Sequence, residues 1–245
     1  MRRLLCAVRT ATCAVAMAAT WCTGCDRTVE GAAFAARTPA SAAVTTTVNP
    51  SPSPLPVAGL ESLLLTADQL SAVVGGANMA LIGTATSTSD ASKLIDDRTC
   101  LGLGSVGDVV SYSNSGYVAM RGNQFSTPSA VQADVTQLVT SFTTAADAQA
   151  LLQRTRQDWQ GCAGRRYGFH SSNGNHSYFD TGDLRGSSSR IEVSMSQEED
   201  ARWGCSHALA VGNNIVAEAR VCQLGKDTAV AVNGLLDQIV AKIPQ

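Results

Sequence analysis

The segment that decides the fold is CSHALAVGNNIVAEARVC, residues 205–222. Two alternating runs flank Asn213-Asn214, which is a good two-residue hairpin turn because asparagine tolerates positive φ. Counting outward from this turn pairs Cys205 directly with Cys222. The two cysteines then occupy a non-hydrogen-bonded pair, whose Cα separation of about 4.5 Å is within the range of a disulfide. The segment therefore predicts a β-hairpin closed by its own disulfide.

The same register divides the side chains of this hairpin between the two faces of a sheet. One face carries small residues against which a helix can pack closely: Ala208, Ala210, Ala217, Ala219 and Val221. The disulfide face carries His207, Glu218 and Arg220. We expect that face to be either solvated, as one face of an antiparallel sheet often is, or a polar recognition surface. These three residues are the candidate ligand-binding residues.

Helices are predicted at three places outside the hairpin. Thr66-Ala67-Asp68-Gln69 forms a capping box before an apolar run, and Thr144 can cap a long helix with one apolar face. A third amphipathic helix, from about Asp227, closes the chain. Each of these segments offers one apolar face that a sheet could cover.

Strands are predicted in the remaining segments. The candidates are a hairpin formed by residues 109–112 and 117–121, a long strand over 131–142, a hairpin turning at Asn173-Gly174 that sets Phe169 opposite Tyr178, and a strand over 191–195. Strands with helices before, between and after them indicate an α+β fold, in which helices cover an antiparallel sheet.

The eight cysteines of the chain fall into two groups. Four lie in the first 25 residues: Cys6, Cys13, Cys22 and Cys25. The other four are Cys100, Cys162, Cys205 and Cys222, an even set suited to disulfides in an oxidising compartment. Since the hairpin pairs Cys205 with Cys222, Cys100 and Cys162 are left to pair across a long loop.

The N-terminal group of cysteines belongs to a predicted export signal. A basic start and an Ala-rich apolar run make residues 1–24 a secretory signal peptide. Cys22-Thr23-Gly24-Cys25 resembles a lipoprotein attachment site, although a cysteine stands where leucine is usual. We predict that Cys25 is acylated; an ordinary cleaved signal is the alternative. Residues 25–56 predict a disordered, lipid-anchored linker, and residues 57–245 a single domain.

The charge of the chain limits its partners. Removal of the signal takes away three arginines, so the formal net charge changes from −2 to −5. Without a basic stripe, nucleic acid is not an expected partner. Contact with the membrane would come from the lipid anchor, which places the protein on the extracytoplasmic face of the cell membrane. The remaining expected partner is an unknown extracellular ligand or an envelope protein.

No catalytic or cofactor motif is visible. GLGSVG, residues 102–107, matches the dinucleotide fingerprint by letter, but it follows a polar stretch and does not lead into a predicted helix, so we interpret it as a flexible loop beside Cys100. The histidines, His170, His176 and His207, form no metal-binding motif. We therefore expect no metal, no cofactor and no enzyme activity; a hydrolase would need a buried nucleophile beside His207 or His176.

Four features carry a family resemblance: Trp159-x-x-Cys162, Trp203-Gly204-Cys205, the hairpin through Asn213-Asn214 to Cys222, and the closing helix. In these features residues 57–245 resemble the PknH-like extracellular sensor domain, which occurs at the outer end of a mycobacterial Ser/Thr kinase and in free-standing lipoproteins. The resemblance implies disulfides Cys100–Cys162 and Cys205–Cys222. It also implies an antiparallel sheet with helices and a cleft for an extracellular ligand.

The function expected from the sequence is that of a membrane-anchored extracytoplasmic lipoprotein. Its domain would be non-catalytic and sensor-like, and it would bind an unidentified ligand in a cleft. The alternative is a structural or protein-interaction module of the cell envelope that has no small-molecule ligand.

Overall fold

The structure, a computed structural model, describes residues 52–128, 132–171 and 174–244. Within these residues nine strands form one sheet: β1 (Ala80–Ala85), β2 (Ala119–Ser126), β3 (Ala133–Ser141), β4 (Arg166–His170), β5 (His176–Thr181), β6 (Arg185–Ser187), β7 (Arg190–Gln197), β8 (Trp203–Gly212) and β9 (Ile215–Leu224). The strand order is β1-β2-β3-β9-β8-β7-β5-β4, with β6 paired to β7, and all neighbours run antiparallel.

Helices pack on both faces of this sheet. Those of the described residues are α1 (Leu60–Leu63), α2 (Ala67–Val73), α3 (Leu101–Gly104), α4 (Val109–Tyr112), α5 (Ala145–Cys162) and α6 (Thr228–Val240). The predicted α+β fold is confirmed. The predicted capping box is present at Thr66 of α2, and the predicted cap Thr144 of α5 forms a second capping box with Asp147.

The β8–β9 hairpin lies at the centre of the sheet, between β3 and β7. Its register is the predicted one: Cys205 faces Cys222 and His207 faces Arg220. Asn213 in the turn has a φ of 47°, the left-handed conformation that asparagine tolerates. The local count from the turn therefore fixed the register of the two central strands.

The two faces of the hairpin belong to two separate hydrophobic clusters. On the alanine face, α6 buries Val232, Leu235, Leu236 and Ile239 against the small side chains of β8 and β9. On the disulfide face, α5 buries Trp159 and its neighbours. Because alanine leaves room for close approach, α6 lies directly on the two central strands.

The side chain of Asn214 connects the hairpin turn to the start of the domain. Its Oδ1 accepts a hydrogen bond from the amide of Leu55 at 2.7 Å, and its Nδ2 donates to the carbonyl oxygens of Leu55 and Phe142 at 3.2 and 2.8 Å. Asn213 also donates from Nδ2 to the carbonyl oxygen of Ser53 at 2.9 Å, so contact with the domain reaches Ser53, four residues before the predicted start of the domain. The signal segment, Cys25 and the linker up to residue 51 lie outside the described residues. No helix of the described part of the chain is long and apolar enough to cross a membrane.

The strand predicted over residues 109–112 is wrong. These residues form the short helix α4, because the carboxylate of Asp108 accepts a hydrogen bond from the amide of Val110 at 2.9 Å and caps the first turn. The second oxygen of Asp108 accepts from the amide of Ala91, also at 2.9 Å. The aspartate overrides the strand preference of the two valines that follow it.

The register predicted for the second hairpin is wrong by one residue. Phe169 faces Ser177 rather than Tyr178, and the closing pair of β4 and β5 is His170 with His176. Five residues, 171–175, therefore separate the closing pair. A two-residue turn at Asn173-Gly174 would instead leave an even number of residues between any two paired positions. Asn173 itself, like Val131 of the predicted long strand, lies outside the described residues.

Both predicted disulfides are formed. Cys100–Cys162 connects the segment before α3 to the C-terminal end of α5, and its Cα atoms are 5.1 Å apart. Cys205–Cys222 joins two strands that are already paired, with a Cα separation of 4.0 Å.

Replacing Cys100 and Cys162 together with alanine should destabilise the domain more than replacing Cys205 and Cys222. The sequence separations are 62 and 17 residues. Chain-entropy loss in the unfolded state then gives about 4 kcal/mol for the longer loop and about 3 kcal/mol for the shorter one. Urea unfolding of the two double variants without reductant measures the difference. A larger loss in the hairpin variant would contradict this ordering.

Candidate functional site

His207 and Glu218 lie inside the protein. Their exposed fractions are 0% and 2%. The expectation that this face of the sheet is solvated is therefore wrong for both residues, because α5 and the segment around α3 and α4 cover them. The indole of Trp159 on α5 packs on the His207 ring, with ring centroids 4.5 Å apart.

The carboxylate of Glu218 is surrounded by hydrogen-bond donors. Its Oε2 accepts from the hydroxyl of Tyr112 at 2.6 Å, and its Oε1 accepts from the amide of Gly107 at 3.1 Å. The same Oε1 lies 2.9 Å from Nε2 of His207. Burial and the Glu218 carboxylate together raise the pKa of Tyr112 well above its ordinary value, so this hydroxyl stays protonated and can donate.

The hydrogen bonds of His207 leave neither ring nitrogen available. Its Nδ1 lies 2.7 Å from the carbonyl oxygen of Leu103, which can only accept, so Nδ1 carries a hydrogen. Its Nε2 faces Glu218 Oε1 at 2.9 Å, so both ring nitrogens are engaged within the protein. A hydrolase would need an imidazole nitrogen directed at a nucleophile, and His207 offers none.

The three predicted ligand-binding residues all hold the main chain of one segment, residues 103–107, which starts in the last turn of α3 and which we call the clamped loop. His207 binds the carbonyl oxygen of Leu103, and Arg220 donates from Nη1 to the carbonyl oxygen of Gly104. Glu218 accepts from the amide of Gly107. The prediction of a flexible loop over residues 102–107 is therefore wrong for its first half, because residues 102–104 lie in α3. A direct ligand role for His207 and Glu218 stays a prediction.

Two clefts lie on either side of the clamped loop. The larger, about 280 Å³, we call the polar cleft. It is lined by Gly83, Thr84, Ala85, Ser87, Ser89, Ser105, Val106, Gly107, Gly122, Asn123, Gln124, Thr136, Gln137, Leu138 and Arg220. Hydroxyl and amide groups dominate this lining, and they come from the first three strands and from two loops. Such a lining offers many hydrogen-bond donors and acceptors to a ligand.

The smaller cleft, about 210 Å³, we call the aromatic cleft. It is lined by Gly104, Gln124, Asp134, Tyr167, Phe169, Phe179, Met195, Trp203, Cys205, Arg220 and Cys222. The rings of Tyr167 and Phe179 stack with centroids 5.7 Å apart. The Cys205–Cys222 disulfide therefore forms part of the lining as well as closing the hairpin. Burial raises the pKa of the Tyr167 hydroxyl to about 12, so this wall of the cleft stays uncharged at neutral pH.

Arg220 connects the two clefts, since it lines both. One of its terminal nitrogens binds Gly104, while its Nε is buried and has no hydrogen-bond partner among the described residues. Asp134 lies nearby on β3. Burial raises the pKa of this carboxyl, and the charge of Arg220 partly offsets the rise. The aromatic cleft thus combines an apolar wall with one cationic and one acidic group.

The domain belongs to a known family of extracellular domains. A model of the PknH-like extracellular domain matches residues 55–242, and the chain belongs to that family. Domains of this family are sensor-type rather than catalytic. Family membership also indicates an extracytoplasmic location.

Individual relatives are mycobacterial kinases. The chain is 29% identical over 194 residues to serine/threonine-protein kinase PknH of Mycobacterium bovis and to that of Mycobacterium tuberculosis. These alignments cover 78% of this chain, which spans about a third of the length of each kinase: 31% and 30%. The crystal structure of the extracellular domain of PknH from Mycobacterium tuberculosis matches with a TM-score of 0.71 and 28% identity, over 78% of this chain and 97% of that one.

Replacing Tyr112 with phenylalanine should destabilise the domain by about 1.5–3 kcal/mol, because it removes a hydrogen bond to a buried carboxylate. Tyr117→Phe is the matched control: its ring packs edge-on against Tyr112, and its hydroxyl makes no hydrogen bond to the described residues. Urea unfolding measures both variants. Equal losses would show that the hydroxyl of Tyr112 contributes nothing to holding Glu218.

Proposed function

We propose that this protein is an extracytoplasmic lipoprotein whose non-catalytic, sensor-type domain binds a small ligand in the aromatic cleft. The observation that carries the proposal is the composition of that cleft, in which aromatic side chains face Arg220 and Asp134. Ligand sites typically combine an apolar, aromatic lining with a few polar groups that fix orientation.

The size of the aromatic cleft limits the ligand. Its volume of about 210 Å³ is below the roughly 300 Å³ at which sites for drug-sized molecules begin. We therefore expect a small molecule, or the end of a longer one, with a planar or apolar part for the aromatic wall. A polar group at the Arg220 side would complete the match.

The clamped loop offers a way for the domain to respond to its ligand. Arg220 donates to Gly104 in the clamped loop and also lines the aromatic cleft. A ligand that draws the Arg220 guanidinium toward itself would lengthen the hydrogen bond from Arg220 to the carbonyl oxygen of Gly104. Binding would thereby change how firmly one end of the loop is held, while Glu218 still holds Gly107 at the other end.

Attachment to the membrane through a lipid on Cys25 is the second part of the proposal. The basic start, the apolar run and the small pair before Cys25 support it. Acylation at this position would leave residues 26–56 between the membrane surface and the domain. Anchoring of this kind needs no membrane-spanning helix.

The ligand proposal is tested with soluble peptidoglycan fragments and short-chain lipids, screened by thermal shift and confirmed by calorimetry. We expect saturable binding at one site, which Trp203→Ala weakens at least about tenfold through lost stacking area. Leu224→Ala is the matched control, since Leu224 faces Trp203 across β8 and β9 but lies outside the lining of the aromatic cleft.

A second pair of variants separates the two clefts. Ser87→Trp should obstruct the polar cleft, whereas Thr86→Trp adds the same ring at an exposed neighbour outside the lining. Binding that is lost in Ser87→Trp and unchanged in Trp203→Ala would move the site to the polar cleft. If no probe binds saturably, the protein-interaction alternative is favoured. The exposed side chains of Leu81 and Ile82 on the edge strand β1 are then the first candidates for a protein-binding surface.

Replacing Cys25 with alanine should release the protein from membranes, because the acylated side chain would be lost. Detergent phase partitioning of cell fractions measures the distribution, with Cys22→Ala as the matched control. Unchanged partitioning of the Cys25→Ala protein would contradict the anchoring proposal and leave the ligand proposal unaffected.

A further inference from the structure

Two histidines meet at the end of the β4–β5 hairpin, away from both clefts. His170 and His176 face each other across the strands, and their rings have centroids 3.6 Å apart. Nε2 of His176 contacts both nitrogens of the His170 ring, Nδ1 and Nε2, and lies 2.7 Å from Nε2. His170 is half-buried and His176 is exposed, so solvent reaches the pair.

The backbone explains why these two side chains converge. The amide of His170 donates to the carbonyl oxygen of Leu94, on the side away from β5, and the next amide, that of Ser171, donates to Asn175. His170 and His176 therefore form a non-hydrogen-bonded pair, in which facing side chains come closest. Tyr178 lies two residues further along β5, on the same face as His176. The two rings pack in a T-shaped arrangement with centroids 5.5 Å apart.

The distance between the two nitrogens is close to that of a bidentate metal site. A transition-metal ion about 2.0–2.1 Å from each imidazole nitrogen, at bond angles between square and tetrahedral, needs the nitrogens about 2.9–3.3 Å apart. Rotation of the half-buried His170 ring and the exposed His176 ring, which separates them slightly and directs one nitrogen of each at a shared ion, supplies the difference. We propose that the tip of the β4–β5 hairpin binds one divalent transition-metal ion through His170 and His176.

The ligand set determines which ions fit the site. Imidazole nitrogen suits Zn²⁺, Ni²⁺ and Cu²⁺, with Cu²⁺ bound most tightly, whereas Mg²⁺ and Ca²⁺ prefer oxygen. Among the described residues no group of three or more histidine, cysteine, aspartate or glutamate side chains surrounds the pair. Water would therefore complete the coordination, and the site is open to solvent. The sequence gives no hint of it, because a spacing of six residues matches no metal motif.

The test uses the full chain without an affinity tag, with disulfides intact and free thiols alkylated so that they cannot bind metal. Calorimetry with Zn²⁺ should show one saturable site, and Mg²⁺ should give no heat of binding. Electron paramagnetic resonance of the Cu²⁺ complex should show two coordinated nitrogens. His170→Ala and His176→Ala should each weaken Zn²⁺ binding at least about tenfold, since each removes one of two protein ligands.

Ser171→Ala is the control, because it changes the same hairpin connection without removing a nitrogen. It should bind Zn²⁺ like the unaltered chain. Circular dichroism without metal checks that all three variants remain folded. The proposal is overturned if the unaltered chain binds no Zn²⁺, if either histidine variant binds it undiminished, or if the Cu²⁺ spectrum shows a single nitrogen.

Discussion

The carboxylate of Glu218 lies in the middle of the sheet, under α5, where a charged group is stable only if its neighbours supply hydrogen bonds. They come from three parts of the chain: the Tyr112 hydroxyl on α4, the Gly107 amide in the clamped loop and the His207 ring on β8. The helix, the loop and the strand are thus positioned around one side chain. Both clefts depend on this arrangement, because the clamped loop forms an edge of each.

The clamped loop gives the candidate site a particular character. Its backbone groups at Leu103, Gly104 and Gly107 bind protein side chains, so the loop shapes the clefts rather than presenting its own amides to an anion. This explains how a stretch that matches the dinucleotide fingerprint by letter serves a different purpose here. Of the three side chains that hold the loop, Arg220 is the one that also faces the clefts.

The parts of the fold that sequence could predict are those set by local chemistry. The turn at Asn213-Asn214 determines the central register and the Cys205–Cys222 disulfide, and the two capping boxes determine where α2 and α5 begin. Burial of His207 and Glu218 could not be predicted in this way. Their hydrogen-bond partners lie about 100 residues away in sequence and are mostly backbone atoms, which no side-chain pattern records. The aromatic cleft is hidden for the same reason, since its rings come from β4, β5 and β8.

The hydrogen bonds of Asn214 have a mechanical consequence. Because this side chain holds both backbone groups of Leu55, a pulling force applied to the chain before Leu55 reaches the turn of the central hairpin first. The hairpin has strands on both sides, and α6 packs along its alanine face. Such a load would break the side-chain hydrogen bonds of the turn before it reached the backbone pairing of β8 and β9. The residues before Leu55 can therefore detach from the turn while the backbone pairing that shapes both clefts stays intact.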